Sequence, residues 1–231
     1  MTTLLEAREV SLGYGDARVV HDLNIRVDAG EIVVLLGPNG AGKTTTMMAL
    51  CGELKPKSGD VLWKGEVTNS PLHKRAHDGL ALITEERSVF MNLTVADNLR
   101  VGGADSTALE RFPELQPLLK RKAGMLSGGE QQILTVARSL ARKPQVILAD
   151  ELSLGLAPLV VARLLSVLKS ASEQGVGVLI VEQHIHEALK FADRVYVLRQ
   201  GRIQFSGTAK EARENLVEIE ASYFSGGGES E

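Results

Sequence analysis

Cysteine is nearly missing from this 231-residue chain, with Cys51 standing alone. No disulfide can form within it, and a reducing compartment is the simpler setting. Cys51 follows the apolar Met47-Met48-Ala49-Leu50, where a small buried hydrophobe is expected rather than a reactive thiol. Aromatic residues make up only 4%, so the core must be mainly aliphatic. There is no excess of positive charge: 26 Lys and Arg face 29 Asp and Glu, for a net −3. That balance speaks against a polyanion-binding surface, and nucleic acid is not an expected partner. No apolar run approaches the ~18 residues of a membrane span, and the opening MTTLLEAREV lacks the basic start and apolar stretch of a signal peptide. The expectation is a soluble, cytoplasmic protein whose membrane role comes through a partner.

What is present fits an ordinary folded protein. The sequence is 44% apolar and 24% charged, long enough for one large domain or two small ones. Leu5 to Val10 and Val19 to Val27 alternate in part, as half-buried antiparallel strands do, and flank a turn-rich Gly13-Tyr14-Gly15-Asp16. Ile32-Val33-Val34-Leu35-Leu36, Val146-Ile147-Leu148-Ala149 and Gly177-Val178-Leu179-Ile180-Val181 are instead continuous apolar runs. Such runs suit central strands of a parallel sheet covered on both faces, and each precedes a segment of helical character. The pattern predicts an α/β fold. Between residues 86 and 143 the rhythm changes to helices over 94–101, 108–120 and 129–142. This reads as a helical subdomain inserted into a core of residues 1–85 and 144–224. Arg194 to Leu198 and Arg202 to Phe205 bracket Gln200-Gly201 as a hairpin, and 225–231 reads as a flexible tail.

Gly37-Pro38-Asn39-Gly40-Ala41-Gly42-Lys43-Thr44 carries a glycine, four residues, then Gly-Lys-Thr, directly after a buried strand. Phosphates need several backbone N–H groups converging on them, and glycines let the main chain come close enough. The helix that follows adds partial positive charge at its N-terminus. Lys43 can then reach the outer phosphates, and the Thr44 hydroxyl can bind Mg²⁺. The strand over 146–149 ends in Asp150 and Glu151, one able to hold Mg²⁺ through water and the next to polarise an attacking water. Phosphoryl transfer depends mainly on such positioning and electrostatics. Leu126-Ser127-Gly128-Gly129-Glu130-Gln131 heads the last helix of the inserted segment, with Ser127 as N-cap and Glu130 as its capping-box partner. The same glycines and serine also form an anion site at a helix start, with no ligand obliged within one molecule.

LSGGEQ at 126–131, with GPNGAGKTT at 37–45 and ILADE at 147–151, resembles the ABC ATPases over most of the chain, from Val10 to about Gly207. The resemblance implies the P-loop NTPase fold of those proteins: a mainly parallel core sheet, an N-terminal antiparallel β subdomain and an inserted helical subdomain. It implies ATP and Mg²⁺ as ligands and a head-to-tail pair with a second ABC ATPase subunit, identical or not. ATP then lies between one subunit's 37–45 loop, including Thr45, and the other's Ser127, Gly128, Gly129 and Glu130. Tyr14, 23 residues before Gly37, sits where the family places an aromatic that stacks on adenine; the other reading is a core tyrosine.

Finer features resemble the ATPases of branched-chain amino-acid importers. Ser153-Leu154-Gly155-Leu156-Ala157-Pro158 follows the acidic pair, and Glu85-Glu86-Arg87-Ser88-Val89-Phe90 precedes Leu93-Thr94-Val95. Glu85 stands where a glutamine usually senses the γ-phosphate and Mg²⁺, and Gln183 where most relatives carry a switch histidine. His184 lies one residue too late for that role. The resemblance implies Glu151 as base, Gln183 on the γ-phosphate, and Thr44, Asp150 and Glu85 around the metal. Leu152 replaces a common proline, so Glu151 is expected to be held less tightly. The implied partners are transmembrane permease subunits and, through them, a periplasmic or lipoprotein substrate-binding protein, with this chain peripheral on the inner membrane face. Val89, Phe90, Met91 and Leu93 suit a docking groove for the permease or, equally, the core of the helical subdomain. Importers of urea, small amides or organic acids share these motifs. Soluble ABC ATPases of translation or DNA repair, or a non-catalytic nucleotide-binding module, are the more distant readings.

Overall fold

The computed structural model describes residues 2–86, 88–105 and 107–224. The 225–231 segment expected to be a flexible tail lies outside them, as does Arg87. Two sheets organise the molecule. The first is antiparallel, in the order β2-β1-β4-β5, with β1 Thr3–Tyr14, β2 Ala17–Asp28, β4 Ser58–Trp63 and β5 Glu66–Val67. The second has the order β10-β9-β3-β8-β7-β6, with β3 Ile32–Leu36, β6 Leu80–Ile83, β7 Val146–Asp150, β8 Gly177–Glu182, β9 Arg194–Arg199 and β10 Arg202–Thr208. Its neighbours run parallel except β10, which returns antiparallel on β9 as a hairpin.

The helices are α1 Lys43–Cys51, α2 Leu72–His77, α3 Val95–Val101, α4 Thr107–Arg111, α5 Gly128–Ala141, α6 Pro158–Glu173, α7 Ile185–Ala188, α8 Ala209–Glu214 and α9 Leu216–Phe224. The central strands bury both faces, as their unbroken apolar runs require. Ile32, Val34 and Leu36 of β3 join one core cluster with α5 and α6, while Val33 and Leu35 join another with α1 and the antiparallel sheet. The strand therefore keeps its period of two even though every residue is buried.

Residues 88–143 hold helices and no strand among the described residues, apart from an isolated bridge between Thr94 and Lys122. The single helix expected over 108–120 is not formed. α4 stops at Arg111, and 3-10 turns cover Pro113–Leu118 and Ala123–Met125. Pro113 and Pro117 cannot donate the backbone bonds a continuous α-helix needs. Tyr14, read as part of a turn, is the last residue of β1 instead.

Register decides where chemistry can collect. Leu36 pairs with Glu182, Asp150 with Val181, and Ile83 with Ala149. The C-terminal ends of β3, β8, β7 and β6 thus leave the sheet side by side, the edge where open α/β sheets place their ligands. Gly37, Gln183 and Glu151 follow those ends directly, and Glu85 follows β6 after Thr84.

Candidate active site

The loop after β3 is shaped by contact with the β9 exit. A Cβ at Gly37 would lie 2.3 Å from the Leu198 carbonyl oxygen, so only glycine lets the two main chains meet. Gly42 has φ +103, and a Cβ there would lie 2.7 Å from Val20 Cγ2. It is the N-cap of α1, with no side-chain cap and no acidic residue in the first turn. The first N–H groups of α1 therefore point from a helix start that no carboxylate of its own neutralises. Lys43 is buried and donates from Nζ to the carbonyls of Gly37 at 2.8 Å and Pro38 at 3.1 Å. Desolvation lowers its pKa, opposed by Glu151, Asp150 and Glu182. Pro38 is half-buried, Asn39 and Gly40 are exposed, and Ala41 is buried. Thr44 is exposed while Thr45 turns inward.

Across the strand ends stands a group of carboxylates. Burial pushes the Asp150 carboxyl up to about 6, with Glu151 and Glu85 adding to the shift and Lys43 opposing it. Its Oδ1 is buried with no hydrogen-bond partner. Glu151 has φ +44, a left-handed conformation uncommon for a residue with a side chain. Its N–H donates to Val181 O at 3.0 Å, and its carboxylate accepts from Gln183 Nε2. His184 is exposed beyond it. Leu152 is 1% exposed and packed in the core. Leucine at this position thus packs its side chain into the core where a proline ring is common.

A matching family model, described as ABC transporter, covers residues 20–153. The chain belongs to the ABC transporter ATP-binding family. This ABC ATPase is 40% identical over 216 residues to the high-affinity branched-chain amino acid transport ATP-binding protein BraG of Pseudomonas aeruginosa, covering 89% of this chain and 93% of that protein. It is also 34% identical to the lipopolysaccharide export system ATP-binding protein LptB of Acidithiobacillus ferridurans over 223 residues, covering 91% and 92%. A solved ATP-binding subunit of an ABC transporter superposes with a TM-score of 0.82 at 28% identity, covering 94% of this chain and 98% of that one. ATP is the ligand of this family, and its members are ATPases coupled to transport. No helix among the described residues is long and apolar enough to cross a membrane.

The remaining expected residues of the ABC ATPase lie around this edge and on the helical segment. Tyr14 is 52% exposed at the end of β1, its hydroxyl 3.5 Å from Met48 Sδ on α1; it is not a core tyrosine. Ser127 and Glu130 form the expected capping box of α5: Glu130 N donates to Ser127 Oγ at 3.3 Å, and Ser127 N to Glu130 Oε2 at 2.7 Å. Gly128 and Gly129 open that helix, and Gly129 packs near Val160. Glu85 is exposed just beyond β6, beside a cavity of about 510 Å³ lined also by Glu86, Met91, Gln131 and Leu154. The 89–93 segment divides between its two readings. Val89 packs on the core, whereas Phe90, Met91 and Leu93 are exposed. Phe90 borders a groove of about 420 Å³ with Leu72, Ala76, Val101 and Arg138. The Arg138 guanidinium lies 4.8 Å from the Phe90 ring centre.

Two contributors belong to no motif in the sequence. Arg75 of α2 is buried without an acidic partner and donates to the carbonyls of Ala49, Leu50, Thr68 and Ser70. Glu182 is buried and accepts from both the N–H and the hydroxyl of Ser153. The one sequence signal for Glu182 is a charge closing an otherwise apolar run.

Proposed function

We propose that this ABC ATPase powers an importer of branched-chain or other hydrophobic amino acids, acting on permease subunits from the inner face of the membrane. The observation that carries the catalytic part is the pairing of Glu151 with Gln183 opposite the Lys43 loop, where β3, β7 and β8 end together. The importer branch is supported by the likeness to BraG and by Glu85, Gln183 and the 153–158 stretch.

In this reading the first N–H groups of α1 and the Lys43 ammonium bind the phosphates, and Tyr14 stacks on the adenine. The Glu151 carboxylate takes a proton from the attacking water as the γ-phosphoryl group leaves ADP, and Gln183 holds that carboxylate while contacting the γ-phosphate. Among the described residues no cluster of three metal-binding side chains exists. Mg²⁺ needs no such cluster, since it takes one or two carboxylates beside waters and phosphate oxygens. The unpartnered Asp150 Oδ1, the exposed Thr44 hydroxyl and Glu85 are the oxygens that would hold it. When bound, the ion supplies positive charge to the phosphate oxygens.

The 127–130 helix start presents N–H groups without a ligand of its own and completes the site of a second ATPase subunit, identical or related. Residues 86–143 move as a helical subdomain, and the groove beside Phe90 receives the permease. The likeness to LptB favours a second reading, in which the same engine drives an exporter. Purification of the tagged chain from detergent-solubilised membranes, followed by uptake of labelled leucine in vesicles, tests the proposal. Co-purifying permeases and ATP-dependent uptake are expected, with Phe90→Asp losing the permeases. Recovery with lipopolysaccharide-export components supports the exporter instead, and recovery with ribosomes or DNA defeats both.

A further inference from the structure

Glu182 is a carboxylate at 6% exposure with no lysine, arginine or histidine in salt-bridge contact among the described residues. Burial raises its pKa, and hydrogen bonds from Ser153 act against that shift. A buried charge with no cation in contact works against folding, and its two hydrogen bonds offset only part of the lost hydration. Its place in the structure therefore calls for a use other than stability.

Both carboxylate oxygens are spent on one residue. Ser153 N donates to Oε1 at 3.2 Å and Ser153 Oγ to Oε2 at 3.0 Å. Next to this pair, Val181 O accepts from Glu151 N at 3.0 Å, and Gln183 Nε2 donates to the Glu151 carboxylate. Three successive residues leaving β8 thus hold the turn that follows β7. Within that turn Glu151 sits at φ +44, a conformation that persists in a residue with a side chain only when its surroundings enforce it. Further contacts close the turn: Leu154 N donates to Glu151 O at 3.1 Å and Leu156 N to Ser153 O at 3.2 Å.

We propose that Glu182 is a positioning residue: its two-oxygen clamp on Ser153 fixes the turn after β7 and so holds Glu151 in its working conformation. The inference rests on the ATPase reading for its effect on turnover, but the clamp itself is a property of the chain with or without turnover. Glu182→Leu fills the same space without the clamp, and Glu182→Gln retains it, since a carboxamide oxygen accepts from the Ser153 N–H while its NH₂ donates to the hydroxyl.

The test combines amide hydrogen exchange over 151–156 in the nucleotide-free protein with ATP turnover and thermal melting, on the full chain. For Glu182→Leu the expected results are exchange at Ser153 faster by at least tenfold, kcat lower by at least tenfold, an unchanged KM for ATP, and a Tm only slightly below wild type, because the half-buried Ser153 N–H and hydroxyl lose their acceptor. Glu182→Gln is expected to restore most of kcat. Ser153→Ala combined with Glu182→Leu is expected to be no slower than Glu182→Leu alone. Unchanged exchange in Glu182→Leu overturns the clamp whether or not ATP is turned over. Wild-type kcat in that variant, a kcat loss accompanied by a matching loss of Tm, or an equal loss in Glu182→Gln overturns it too. Absence of turnover in the wild-type chain together with its co-purifying partners contradicts the ATPase reading, and the exchange measurement still decides the clamp.

Discussion

Asp150 sits under electrostatic strain at the end of β7. Burial and the neighbouring Glu151 and Glu85 push its carboxyl to about 6, against about 4 for an ordinary aspartate. An acid held above its unfolded value opposes folding once it ionises. Below about pH 4 both states keep the proton and the penalty is absent. Between about 4 and 6 the unfolded chain loses its proton first, and above 6 the penalty is complete. Asp150→Asn removes it. In EDTA and without nucleotide, the variant is expected to melt above wild type at about pH 7.5, with the difference closing as the pH falls toward 4. Thermal melting across pH checks this, and a constant difference would contradict the assignment. The same variant is expected to lose most of the stabilisation wild type gains from MgATP, because the oxygen that opposes folding is the one proposed to hold the metal.

At the scale of elements, α1, the helix proposed to bind the phosphates, is fixed at both ends by different means. Its start depends on Gly42 and on the meeting of Gly37 with β9. Its end depends on Arg75, whose guanidinium satisfies the Ala49 and Leu50 carbonyls of the last turn together with Ser70 and Thr68. Arg75→Leu removes the buried bond to the Leu50 carbonyl and part-buried ones to Ser70 and Thr68, while Ala49 O keeps the Gly52 N–H; it is expected to destabilise the fold by about 2 kcal/mol, read as a lower urea midpoint with an unchanged slope. A variant within about 0.5 kcal/mol of wild type would show that water replaces the guanidinium at no cost.

The contrast between these two ends shows what is legible in the sequence. The glycines, Lys43 and Thr44 sit at fixed spacing after an apolar run, so local pattern alone places the loop. The same holds for the Ser127 to Glu130 capping box and for Asp150 and Glu151 at a strand end. Arg75 and Glu182 are single charges that reach across the chain, Arg75 to the end of α1 and Glu182 to Ser153, and no spacing rule announces them. β4 and β6 escape pattern reading for a related reason. Ser58-Gly59-Asp60 begins β4 with exposed polar residues, and β6 has only four residues, so neither offers a sustained period. The break in the expected 108–120 helix is signalled by Pro113 and Pro117, but the helix-favouring residues around them mask it.

For the molecule as a whole, register converts separate motifs into one site. β3, β8, β7 and β6 end together, so a loop at 37–45, a glutamine at 183, a carboxylate pair at 150–151 and an acid at 85 meet although up to 146 residues separate them in sequence. Everything proposed for turnover depends on Glu151, held by Gln183 at that edge, being the base that activates water. ATP hydrolysis by the purified chain with its co-purifying partners, compared between wild type and Glu151→Gln, tests this most directly. The expected result is a loss of turnover of about a hundredfold or more, with ATP still bound and an ATP-dependent pairing of subunits that wild type shows only transiently. Hydrolysis by Glu151→Gln at the wild-type rate would contradict it.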